Sequence, residues 1–230
     1  NLVWSNFFAM ELTKEQIQKV EEYLKRKDFD FIDLKIEILD HMISDIEKLM
    51  NENYSFDNAY KKTILKWEKH FEATSSFYFG FQFSESKMVV DKATKMFKPF
   101  YFIYLAAYFL PFIILQSFVE FKPSKTTSGF INGFLLSTSF VALISFIVMA
   151  INVLKTKIKT TYSFIIKTQY LGALFLIIPL ITQSFFDKKG ILISIFFGMY
   201  CAGMIVVFIS HFFYKKHKKA IQKNSFRTSK

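Results

Sequence analysis

Four long apolar runs fill most of the second half of this chain and leave it few ways to fold. They cover residues 97–119, 131–154, 164–186 and 191–214. A helix needs about 20 apolar residues to cross roughly 30 Å of hydrocarbon, and each run meets that length. Apart from Lys98 at the edge of the first run, Lys167 is the one charged side chain inside them. The runs do not alternate polar and apolar residues, which argues against barrel strands. A water-soluble chain of 230 residues could not hide 31 phenylalanines and 52% hydrophobic residues. The expected fold is an all-α membrane protein.

The links between the runs are short and polar: residues 120–130, 155–163 and 187–190. Short links force neighbouring helices antiparallel, which predicts an up-down four-helix transmembrane bundle. Lysines mark its two ends unequally. Lys87, Lys92, Lys95 and Lys98 precede the first run, Lys155, Lys157 and Lys159 follow the second, and residues 215–230 add seven basic residues and no acid. The opposite end has Lys122, Lys125, Lys188 and Lys189, offset by Glu120 and Asp187. Positive residues stay inside, so both termini are expected in the cytosol. The outer loops are too short for a ligand-binding ectodomain.

The net charge of +11 also suits a nucleic-acid binder. Because the lysines cluster beside the apolar runs, topology is the better account, and nucleic acid is an unlikely partner. The tail 215–230 is expected to extend the last span by a turn or two and then lie on anionic lipid headgroups. Cys201, the single cysteine, excludes an intramolecular disulfide.

Residues 10–72 predict a cytosolic domain of three amphipathic helices; residues 1–9 are read as a non-native remnant, with Met10 as the natural start, and are left out of the fold. Thr13 and Gln16 make a capping box before the stripe Ile17, Val20, Leu24. The second helix carries Ile32, Ile36, Leu39, Ile43, Ile46 and Met50 at helical spacing. The third begins at the N-cap Ser55 and carries Phe56, Tyr60, Ile64, Trp67 and Phe71. Trp67 and Ile43 are expected in the core against the first helix. A unit this small is marginal alone and should lean on a second copy, a partner or the membrane. The juxtamembrane segment 73–96 is read as an aromatic interfacial anchor at 77–83, followed by a basic amphipathic helix from residue 84 into the first span.

The segments LTKEQIQKVEEYLK, LKIEILDHMISDIEKLM and SFDNAYKKTILKW resemble the helical signalling domain called HAAS, associated with PadR-type regulators, as found in small membrane proteins of Bacteroidetes type. The resemblance covers residues 12–71. It implies a bacterial inner (plasma) membrane location and a role in signalling, with no catalytic residue to carry over.

Two candidate sites stand out. Glu37, His41 and Asp45 recur every four residues on one helix face, a carboxylate–His–carboxylate row that can contribute to a metal site; a solvated polar face is the plainer account. Lys167, with Asn132 and Asn152, is a possible intramembrane polar site, although a lysine near a helix end more often snorkels to the interface. Gly198, Ala202 and Gly203 suit close helix packing, and Pro111 and Pro179 should kink their spans. No nucleophile–base set, phosphate loop or metal-protease pattern is present, and no cofactor is expected. The expected function is non-enzymatic signalling or regulation through a cytosolic domain that binds a partner or self-associates. An oligomeric channel or small transporter is the alternative.

Overall fold

The computed structural model describes residues 11–228, with side chains through residue 225, so the segment 1–9 read as a remnant lies outside the described residues. Helices α1 (Lys14–Arg26), α2 (Ile32–Asn51) and α3 (Phe56–Phe71) form the N-terminal domain. The Thr13–Gln16 capping box is present and satisfies the first amides of α1. Val20, Tyr23 and Leu24 of α1 and Ala59, Tyr60 and Thr63 of α3 are buried, and Phe71 sets its ring edge-on to Tyr23 and Phe29. On α2 the expected stripe is corrected. Leu34, Ile38, Met42 and Ile46 are buried, while Ile36 is exposed and Ile43 only half-buried. Both sets recur at helical spacing, so periodicity could not choose between them; packing did.

A small hairpin follows, in which β1 (Ala73–Ser75) pairs antiparallel with β2 (Ser84–Ser86). The expected helix start at residue 84 is therefore too early, because the ladder claims Ser84–Ser86 and the helix begins at Lys87. The aromatic loop between the strands also does more than meet the interface. Phe79 is buried, edge-on to Phe164 at 5.2 Å and tilted against Phe97 at 5.3 Å, whereas Phe77 and Phe81 remain exposed.

Among the described residues, four helical segments are long and apolar enough to cross a membrane: Lys87–Ser117, Lys125–Thr156, Thr161–Thr182 and Ser194–Ser225. The first is α4 (Lys87–Ser117), which stays helical through Pro99 and Pro111; the second is α5 (Lys125–Thr156). The third is interrupted into α6 (Thr161–Thr168), α7 (Tyr170–Ala173), a 3-10 turn (Leu174–Leu176) and α8 (Ile177–Thr182). Its first break falls where Thr168 and Gln169 bond the Ile165 carbonyl with their side chains and compete with the helical ladder. It also stops at Thr182, with Gln183 left-handed at φ 57°, short of the expected end at Phe186.

The fourth span lies in α9 (Ser194–Thr228), which packs on α4, α5 and every segment of the third span. Small residues allow this approach. A Cβ on Gly198 would stand 2.8 Å from the Tyr108 carbonyl oxygen, and one on Gly203 would stand 2.6 Å from the Leu176 side chain. Beyond Tyr214 the helix continues to Thr228, about 21 Å at 1.5 Å per residue, where the sequence had suggested a turn or two.

One hydrophobic cluster links the domain to the bundle. It runs from Leu24, Met42 and Ile46 through Val89, Ala93 and Phe97 to Phe164, Ile165, Ile209 and Phe213. The N-terminal domain thus gains its missing core from α4, α6 and α9.

Candidate functional site

The lysine-rich end of the bundle and the start of α2 meet in a polar junction. The Ile32 amide donates to the Lys159 carbonyl at 3.1 Å. Beside it, Asp33 Oδ1 accepts the Thr161 amide at 2.9 Å, so a carboxylate from α2 caps the first turn of α6. Free helix amides and the positive end of the helix dipole make that position favourable for an anion. Thr160 completes the cap locally. Its hydroxyl oxygen accepts the Ser163 amide at 2.9 Å and also contacts His217 Nδ1 at 2.9 Å, bringing α9 into the same cluster. Lys92 of α4 donates to the Asp33 carbonyl at 3.3 Å and to Glu37 at 3.2 Å. Lys159 stands 3.8 Å from Asp28. Four elements are tied at one point.

Burial sharpens this point. Thr160, Thr161 and His217 are essentially inaccessible to solvent, and Asp33 Oδ2, Thr161 Oγ1 and His217 Nε2 have no hydrogen-bond partner among the described protein groups. Such unpaired groups cost free energy and persist where packing over-determines them. Sequence reasoning missed this cluster. The Thr160-x-x-Ser163 cap was a readable signal, but it fell just outside the apolar run begun at Phe164.

The expected site residues are dispersed. Glu37 is paired to Lys92, and Asp45 accepts Lys66 Nζ and Trp67 Nε1, each at 2.8 Å. Burial alone would raise the Asp45 carboxyl, but these two hydrogen bonds together with the nearby positive charge of Lys66 outweigh it and hold the group below its usual range. His41 is exposed between them. The Glu37–His41–Asp45 row is thus divided between two separate ion pairs, and among the described residues no His/Cys/Asp/Glu group has metal-site geometry. Trp67 and Ile43 are half-buried against the core; Trp67 faces α2 and α4 across a cleft shared with Ile38 and Met96, not α1 as expected.

Asn132 secures the far end of the bundle, donating to the Gln183 carbonyl at 3.1 Å and accepting the Phe185 amide at 2.8 Å. Asn152 lies on α5 at the lysine-rich end, some 20 residues or about 30 Å away along the helix. Lys167 is exposed on α6. These three residues therefore do not converge on one intramembrane site. In span 2, Ser137, Thr138 and Ser139 return their hydroxyls to carbonyls of the preceding turn.

Fold and junction define a multi-pass helical membrane protein whose N-terminal helical domain is locked to one end of its bundle. Comparison with protein-family models, curated proteins and solved structures finds no match to this chain.

Proposed function

We propose that the chain is a non-enzymatic signalling or regulatory protein of a bacterial inner membrane, whose cytosolic helical domain binds a partner or self-associates. The observation that carries this is the Asp33 junction, where one hydrogen bond ties the start of α2 to the first turn of span 3 and Thr160 beside it contacts His217 of α9, a direct physical link between the spans and the N-terminal domain. The domain's outer surface offers contact points, including Leu65 at 67% exposed on α3. The resemblance of residues 12–71 to HAAS domains supports the same reading on sequence pattern. The channel alternative loses support because Asn132, Asn152 and Lys167 lie apart and the open face of α5 is apolar, with Phe134, Phe140, Val141, Ile144 and Val148 exposed.

The lysine asymmetry supports cytosolic termini. Reporter fusions at residue 158 and after the last residue are expected to report cytosol, and one at residue 125 the outside. A cytosolic signal at 125 sinks the four-span orientation.

For function, a photoreactive residue at position 65 of the full-length protein in membranes should give a discrete adduct, either a dimer or one partner of defined mass. Ile46→Asp, which places a charge in the domain core, should abolish it. No adduct, combined with ion flux in proteoliposomes, would instead favour the channel.

A further inference from the structure

A groove of about 640 Å³ lies between α2 and the part of α9 that follows the last span. Its walls carry opposite charge. Asp33, Glu37 and Asp40 come from α2, and Lys216, Lys219 and Lys223 come from α9; Tyr162, Ile32 and Ile36 supply an apolar floor. Among the described residues no ion pair joins the two walls, although Glu37 is drawn away to Lys92. Lys216 is held over the rings of Phe212 at 4.6 Å and Tyr162 at 5.9 Å.

Depth narrows the ligand. The apolar run ends at Tyr214, so at 1.5 Å per residue Lys216 and Lys219 stand about 3 and 7.5 Å beyond the end of that run. The headgroup layer is about 5–7 Å thick on each side, so with the end of the run at the hydrocarbon edge Lys216 lies inside that layer and Lys219 at its outer limit, both within side-chain reach of lipid phosphates. A wholly basic groove would take any polyanion. Here the facing carboxylates repel a second negative charge and favour a ligand that carries a cation beside its phosphate.

We propose that this groove binds the headgroup of an aminophospholipid such as phosphatidylethanolamine, with the phosphate on Lys216 and Lys219 and the primary ammonium on Asp40, inside the negative field of Asp33. The apolar floor receives the glycerol end. The inference rests on the bilayer placement proposed above but not on any signalling partner, so lipid retention can fail without touching that reading, and the reverse.

The test is native mass spectrometry of the full-length protein released from micelles doped with phosphatidylethanolamine, phosphatidylcholine or phosphatidylglycerol. Retention of phosphatidylethanolamine should exceed the other two by about tenfold, because a trimethylated ammonium cannot donate to a carboxylate and a glycerol headgroup has no cation. Asp40→Asn, at an exposed position that leaves the core intact, should erase the preference over phosphatidylglycerol. Lys219→Gln should weaken both lipids alike. Equal retention of phosphatidylethanolamine and phosphatidylglycerol, or an Asp40→Asn variant with unchanged preference, overturns the proposal. Soluble phosphoethanolamine competing as well as the lipid would overturn the lipid as its source.

Discussion

Gly198→Leu is expected to loosen the bundle more than any other single change in its spans. The glycine lies on α9 where a Cβ would already stand 2.8 Å from the Tyr108 carbonyl oxygen of α4, and backbone cannot step aside as a side-chain tip can. Overpacking of this kind costs about 1–3 kcal/mol, and a leucine at a backbone contact belongs at the upper end. The lone cysteine offers the readout. Cys201 sits one turn further along α9 and is half-buried, so melting followed with a thiol-reactive dye reports this packing directly. The variant should melt lower and label faster. Gly133→Ala is the control, since nothing lies within 4 Å of its Cβ position; it should hold or gain a few tenths of a kcal/mol from helix propensity. Equal melting of Gly198→Leu and the native chain would mean that α4 and α9 do not pack as described.

Met42→Ala is the second. Met42 is wholly buried on the inner face of α2, and removal of a buried methionine side chain costs about 2–5 kcal/mol. Ile43, the neighbouring position and only half-buried, should cost well under that when changed to alanine. The pair decides which face of α2 is the core. Thermal unfolding of the full-length protein, followed by helical content and by protease cleavage within residues 11–72, would read it. If Ile43→Ala proves the more damaging, α2 is rotated from the position described.

The spans were legible because the bilayer imposes a length and a composition that few other folds need. Residues 131–154 hold no charged side chain, and α5 covers them all. The capping boxes, the antiparallel order and the close approach at Gly198 follow from local chemistry that a one-dimensional pattern preserves. Even the N-cap of α6 was readable in Thr160 and Ser163.

Three things were decided only in three dimensions. The inner face of α2 was ambiguous because two apolar stripes share Ile46 and both obey the helical period; α1, α3 and α4 select the one holding Met42. The third span's early end at Thr182 depends on Asn132, 51 residues away from Gln183, which bonds the chain beyond it. The junction needs Asp33 and Thr161, 128 residues apart, to meet at one hydrogen bond, with Thr160 meeting His217 beside them. Local propensity and hydrophobic period act over one or two turns of helix. Which polar group answers which amide across the chain depends on how the packed helices align.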